Sequence, residues 1–216
     1  MSAVIAIIGG TGKEGRGLGA RWARAGHRLL LGSRDPNRAQ QAAAELSEQS
    51  GVEVSGGANK DVAAAAEIVV LATPFDGLAQ TLESMRDELA GKLVISAVVP
   101  MRVEEGRFSI EEVPQGSAAQ AVGSLLPGSR VGAAFHTVSA KSLRDLDHAL
   151  DEDVPVVADD EADRETILGL CADIGARGVA VGPLNLAHYV ESQSAVLASV
   201  NKLNRTQAGL RFTGLP

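Results

Sequence analysis

The chain opens on a run that admits few folds. The apolar residues Ile5-Ala6-Ile7-Ile8 lead into Gly9-Gly10-Thr11-Gly12-Lys13-Glu14-Gly15, then an Arg-, Ala- and Leu-rich stretch, then a second apolar run from His27 to Arg34. This reads as strand, glycine turn, helix and strand. Gly10, Gly12 and Gly15 complete G-x-G-x-x-G in the one context that gives the pattern meaning, between a strand and a helix start. Glycines there let the chain turn sharply and bring backbone N–H groups up to a pyrophosphate, which the helix N-terminus favours. Gly10, Thr11, Gly12, Lys13, Glu14 and Gly15 are the candidate dinucleotide contacts.

The end of the second strand, Leu31-Gly32-Ser33-Arg34, selects between two coenzymes. NAD-selective units place a carboxylate there for the ribose 2′-OH, and Gly32 stands where that carboxylate is expected. Ser33 offers a hydroxyl, Arg34 a planar charged fork and Arg38 a second guanidinium one helical turn on, a set suited to a 2′-phosphate. The reading is therefore NADP(H) over NAD(H). Two points stay open at this level: the arginines as plain solvated loop charges, and Asp35 as a carboxylate that reaches the ribose.

Strand and helix signals alternate along most of the 216 residues, the pattern of a parallel sheet covered on both faces. Expected strands include 52–54, 68–71, 93–96, 131–135, 154–158 and 179–182. Expected helices include 38–49, 59–66 with Asn59 as cap, 76–89, 139–149, 160–174 and 186–203. Residues 103–116 read as a long irregular connection, which in a compact domain is often functional. The expected architecture is α/β, a Rossmann-type doubly wound and mostly parallel sheet over residues 1–182. Residues 183–216 form a helical extension that completes the acceptor site and a dimer interface.

A net charge of −7, with no basic tract interleaved with aromatics, argues against a nucleic-acid partner. The single cysteine, Cys171, sits in an apolar helical run and reads as a buried structural thiol. With neither a leader nor a membrane-length apolar stretch, the expected location is cytoplasmic, without membrane attachment.

In open α/β sheets the ligand crevice lies beyond the carboxyl ends of the strands. Those positions hold Gly10-Thr11, Ser33-Arg34, Thr73-Pro74, Val99-Pro100 and His136-Thr137-Val138. They contain no Ser/His/Asp set, no paired carboxylates and no metal-ligand cluster, so hydrolytic and metal-assisted reactions find no machinery. Hydride transfer does not need it: a nicotinamide carries the reactive hydrogen, and the protein holds donor and acceptor face to face away from water. Pro74, Val99, Pro100 and Val138 suit that lining. Among the histidines, His27 and His148 read as surface or paired side chains and His188 as ambiguous. His136, at a strand tip, is a candidate donor to a bound carbonyl or phosphate, with a loop hydrogen bond as the equal alternative.

Several segments together resemble one family: Ile8-Gly9-Gly10-Thr11-Gly12, Gly32-Ser33-Arg34, Val99-Pro100, Ala134-Phe135-His136-Thr137-Val138-Ser139-Ala140, Asp153-Val154-Pro155-Val156 and Gly182-Pro183-Leu184. They are similar, in order and over nearly the whole chain, to the NADPH:coenzyme F420 oxidoreductases. The resemblance implies a Rossmann-type dimer passing a hydride between NADP(H) and the deazaflavin of F420. By the same resemblance, Thr11 through Glu14 contact the pyrophosphate and Ser33, Arg34 and Arg38 hold the 2′-phosphate. Thr73, Val99 and Val138 flank the nicotinamide, while Pro100, His136 and Ala208 neighbour the deazaflavin. A 5-deazaflavin takes the hydride at carbon 5, which explains the missing general acid.

Two other functions share the same nucleotide half. One is an NADPH-dependent reductase of a flavin or of a small imine or ketone, since the glycine turn does not choose the acceptor. The other is a sensor that binds NADPH without turnover, whose mark would be a blocked crevice. The last helix, with Ala195, Val196, Leu197 and Val200, is the candidate dimer face, with ordinary core packing as the alternative.

Overall fold

The computed structural model describes residues 2–215. Strand β1 (Val4–Ile8), helix α1 (Lys13–Arg24) and strand β2 (Arg28–Ser33) form the first unit, followed by α2 (Pro36–Ser50), β3 (Val54–Ala58), α3 (Asn59–Ala65) and β4 (Ile68–Leu71). Short helices α4 (Leu78–Glu83) and α5 (Arg86–Leu89) lead to β5 (Leu93–Ser96). A hairpin of β6 (Met101–Glu104) and β7 (Arg107–Ile110) precedes α6 (Ala118–Leu125) and β8 (Arg130–Ala133). The chain continues through α7 (Ala140–Arg144), β9 (Asp153–Ala158), α8 (Glu161–Asp173), β10 (Arg177–Gly182), one turn of 3-10 helix and α9 (Ala187–Asn204).

Eight strands form one sheet in the order β10-β9-β8-β5-β4-β1-β2-β3. Every neighbouring pair is parallel except β8 and β9, so β9 and β10 run against the rest. Strands such as Ile68-Val69-Val70-Leu71 are apolar at every position because helices cover both faces. The alternation of side chains divides the core. Ile5, Ile7, Leu29 and Leu31 pack with Leu18, Trp22 and Leu46 of α1 and α2 and with Ile167 and Leu170 of α8. Ala6, Ile8, Val69 and Leu71 face Val62, Leu78, Leu82, Leu89 and Val122 on the other side.

Reversal of β9 has a direct consequence for the site. Its first residue, Asp153, stands on the side where β1, β4, β5 and β8 end, and Thr137 Oγ1, just past β8, bonds the Asp153 carbonyl at 3.4 Å. The C-terminal segment returns to that same place. Asp153 N donates to the Leu210 carbonyl at 2.8 Å, and Phe212 N donates to Asp153 Oδ2 at 2.6 Å. Arg177 grips the same carboxylate with two nitrogens at 2.8 Å each.

One buried cation organises the region beside α1. Arg21 donates to five backbone carbonyls, those of Ser142, Leu143, Asp145, His148 and Ile174, at 2.8 to 3.0 Å. A turn earlier, Gly17 lets α7 approach so closely that a Cβ there would lie 2.5 Å from Leu143 Cβ. Arg21 also explains why the helix expected over 139–149 stops at Arg144: the carbonyls of Asp145 and His148 turn to the guanidinium instead of continuing a helical ladder.

Other expectations shift. The third strand covers Val54–Ala58, not 52–54, because pairing with β2 holds Ser55-Gly56-Gly57 extended despite weak intrinsic strand preference. Asn59 is the first residue of α3, not its cap, which is Ala58. The helix expected over 76–89 breaks at Met85, whose fully buried side chain packs with Leu82 and Leu89. The stretch 103–116, read as irregular, begins with part of a two-stranded hairpin whose turn residues Glu105 and Gly106 both take positive φ, 49° and 76°. Helix α6, opened by the Ser117 side chain, was not expected at all. His27, expected at the surface, is buried. Its Nδ1 accepts from Ala3 N at 3.1 Å and its Nε2 meets Asp173 at 2.8 Å. Cys171 is buried and unpaired, and burial pushes its thiol pKa up, away from a nucleophile's range.

Candidate active site

The glycine turn builds an anion cradle. Gly12 is the N-cap of α1 and no side chain bonds the first-turn N–H groups, which leaves them to a ligand. The sharp corner is at Gly9, one residue before the pattern read from the sequence. Its φ is +81°, and a Cβ there would lie 2.5 Å from the Ala72 carbonyl oxygen. The close approach brings Ala72 and Thr73, at the tip of β4, against the turn. Gly10 and Gly15 are buried against one another and do not line the cavity. Glu14 is partly exposed, and loss of water around its carboxyl pushes the pKa up to about 8 even at a helix N-terminus that favours the anion. The shift weakens its negative charge at the helix start; Lys13 beside it is exposed.

A cavity of about 460 Å³ runs from this turn across the tips of β1, β2 and β4. Thr11, Gly12, Ser33, Arg34, Arg38, Thr73 and Pro74 line it, together with Gly9, Asn59, Asp76 and Thr81, which sequence reasoning missed. Ser33, not Gly32, faces the crevice: a side chain at position 32 would point under the sheet, 2.8 Å from Asn59 Oδ1 and 2.9 Å from Val62. The expected carboxylate position is therefore one residue later than Gly32, and it holds a serine. Asp35, the residue that blurred the coenzyme choice, caps α2 by accepting from Asn37 N at 3.0 Å and Arg38 N at 3.4 Å. Asn59 and Thr73 carry buried side-chain oxygens without a partner among the described residues, on walls of this cavity.

Val99 and Pro100, at the tip of β5, line a smaller hollow of about 130 Å³ with Pro74, Phe75, Met101 and Glu111. Pro74 and Asp76 are common to both cavities, so the two adjoin along the strand tips. Val138 is buried and packs into the core near Ala97 and Leu143. His136 follows Phe135, which adopts a positive φ of 74°, and both ring nitrogens are buried without a partner among the described residues. Burial pushes its pKa down to about 4, so the ring is neutral. The Ser194 hydroxyl of α9 holds the His136 carbonyl at 2.8 Å. Ala208 is fixed by Asn201, which accepts its N–H at 2.6 Å, and lies in neither cavity. A larger hollow of about 620 Å³ sits at the opposite end of β8, near Arg130, Asp159 and Asp163, away from the strand tips.

Residues 4–100, which contain the whole nucleotide cavity, match the family described as NADP oxidoreductase, coenzyme F420-dependent. The chain is 37% identical to the F420-dependent NADP reductase of Methanothermobacter thermautotrophicus, over 98% of its own length and 95% of the relative's. It belongs to this family. The F420-dependent NADP reductase of Methanocaldococcus jannaschii is 34% identical, with 98% of both chains covered, so the likeness extends well beyond the first hundred residues. A crystal structure from Arthrobacter sp. FB24 superposes with a TM-score of 0.84 over the full length of both chains at 23% identity. The fold is shared more widely: an imine reductase from Bacillus cereus superposes with a TM-score of 0.65 at 15% identity, covering 95% of this chain and 63% of that one. Within the family fold, the residues brought together here are those at the tips of β1, β2, β4 and β5. No helix among the described residues is long and apolar enough to cross a membrane.

Proposed function

We propose that this protein is an oxidoreductase that transfers a hydride between NADP(H) and coenzyme F420. The observation that carries the reading is identity of 37% over nearly the whole length to an F420-dependent NADP reductase. When bound, the nicotinamide supplies the hydride and the deazaflavin accepts it at carbon 5, one further proton coming from solvent. The chain's own work is binding and orientation. The open N–H groups of α1 and Thr11 hold the pyrophosphate, and Ser33, Arg34 and Arg38 hold the 2′-phosphate, beside Asp35, which lines the same cavity and caps α2 through Oδ1. Thr73, Pro74 and Val99 set the nicotinamide at the tips of β4 and β5 and Pro100 bounds the acceptor; His136, which lines neither cavity, is assigned to the acceptor side by its place just after β8. A neutral His136 can donate to an acceptor carbonyl without bringing a charge.

In this reading residues 183–216 close the acceptor side, and Ala208 approaches the acceptor from the tail. Two copies pair through α9, where Tyr189, Val196 and Leu203 are 67%, 61% and 83% exposed. So large an apolar exposure on one helix is what a self-association face presents. Anaerobic mixing with NADPH and oxidised F420 tests the function, the expected result being loss of the deazaflavin absorbance. Turnover of free flavin or of a cyclic imine in its place would assign the chain to another acceptor. NADPH binding without any turnover would make it a sensor.

A further inference from the structure

Glu191 lies on α9, fully buried, outside the lining of the nucleotide cavity, and no ion pair among the described residues accounts for it. Its two oxygens are used in full on another helix. Oε2 accepts from Ala118 N and Oε1 from Ala119 N, each at 3.0 Å, so the carboxylate straddles the first turn of α6. The Ser117 side chain, itself buried, bonds the next free amide, Gln120 N, at 3.0 Å, and also contacts Glu191. Three first-turn N–H groups of a helix are thus satisfied by two side chains, one of them reaching in from the C-terminal extension.

What that helix start carries is the acceptor side. The chain from Pro100 runs through the β6–β7 hairpin, returns at Glu111, whose N–H donates to the Pro100 carbonyl at 2.8 Å, and reaches Ser117 six residues later. One turn along the same face of α9, Ser194 holds the His136 carbonyl. Glu191 and Ser194 therefore tie the segment that follows Val99-Pro100 and the backbone of His136 to a single helix.

We propose that Glu191 is a positioning residue whose charged carboxylate sets the acceptor wall by pinning the start of α6, and so tunes acceptor binding without touching NADPH. This rests on the functional reading above. Burial moves the Glu191 pKa up to about 7, against the pull of the two backbone N–H groups. No other charge competes. Helix α6 and the 3-10 turn hold no charged residue; β7 brings Arg107 only at its exposed start. From β9 comes Asp153, held by Arg177; from β8 comes Arg130, paired with Asp163. His136 is neutral. Protonation of Glu191 replaces one acceptor oxygen by a hydroxyl and releases an amide, which loosens the wall.

The test compares wild type with Glu191→Gln, which mimics the protonated form, in anaerobic NADPH and F420 kinetics from about pH 5.5 to about pH 8.5. The KM for F420 of the variant should exceed that of wild type roughly tenfold at the alkaline end. The ratio should fall toward one at the acid end, where wild type carries the same uncharged group. Ionisation of the acceptor itself is common to both proteins and cancels in the ratio. The KM for NADPH should be equal throughout. A ratio that stays constant with pH, or equal effects on both substrates, overturns the proposal. The amides of Ala118 and Ala119 in the wild-type protein give a second readout that needs neither F420 nor the variant. Their NMR shifts should titrate together with a midpoint of about 7, and flat shifts through that range overturn the proposal as well. Absence of F420 reduction by wild type would defeat the functional reading while leaving the amide titration to decide on Glu191.

Discussion

Asp35 Oδ1 accepts the backbone N–H of Asn37 at 3.0 Å, which ties one oxygen of this cavity-lining carboxylate to the helix that follows it. Two outcomes follow for coenzyme choice. Arg34→Ala should raise the KM for NADPH about 10- to 100-fold, the worth of a charge-assisted phosphate contact, with far less effect on NADH. Asp35→Ala should cost about 1 kcal/mol of stability, as loss of a helix cap does, and leave the NADPH preference in place. Steady-state kinetics with both coenzymes and urea unfolding read these separately. Equal effects of Arg34→Ala on both coenzymes would remove the 2′-phosphate assignment.

His136 should separate the two halves of the reaction. His136→Ala is expected to slow transfer to the acceptor while NADPH affinity, measured by calorimetry, stays within about twofold. Loss of NADPH binding would place the ring elsewhere than the acceptor side. The same residue shapes acid stability. Its folded pKa of about 4 lies below the ordinary histidine value of 6.5, so the unfolded chain takes up the proton first. The neutral ring's contribution, on the order of 3 kcal/mol, is whole above pH 6.5 and lost as pH falls toward 4. Urea unfolding of His136→Gln should lack that acid-side loss.

The Arg21 guanidinium cannot be replaced by a lysine or an apolar side chain. Arg21→Met strands five carbonyls in the interior and should cost roughly 3 to 5 kcal/mol, and Arg21→Lys should recover only part. Gly17→Ala forces α7 away from α1 and should cost about 1 to 3 kcal/mol. Denaturation midpoints measure both, and a neutral Arg21→Met would show that those carbonyls find water instead.

The tail is latched at Asp153. Asp153→Ala removes the acceptor for Phe212 N and for two Arg177 nitrogens, so limited trypsin digestion should cut after Arg205 and Arg211 faster than in wild type. An unchanged cleavage rate would mean that packing, not this carboxylate, holds residues 208–212.

The mostly parallel, doubly wound sheet is legible in the sequence, and the misreadings fall where an element's end or a side chain's face depends on a distant partner. The unit from Ile5 to Arg34 is legible because strand, turn and helix each rest on neighbouring residues. The shift from Gly32 to Ser33, the use of Asp35 as a cap and the part played by Asn59 depend on which face each side chain takes, a detail one residue of register decides. Helix α6 is invisible in the sequence and the end of α7 misplaced for a similar reason. The start of α6 is held by Glu191, 73 positions from Ala118, and the end of α7 by Arg21, 127 positions from His148. His27 looked like a surface residue because nothing local reveals Asp173 beside it.

The antiparallel seam between β8 and β9 settles where additions to the chain can go. It sends the last strands downward and α9 back up, so that sequence appended beyond Phe212 would emerge over the rim of strand tips, while sequence added ahead of β1 would emerge at the opposite ends of the strands. An affinity handle or immobilising linker placed at the leading end should leave turnover intact, and the same handle on the trailing end should obstruct the acceptor's entry.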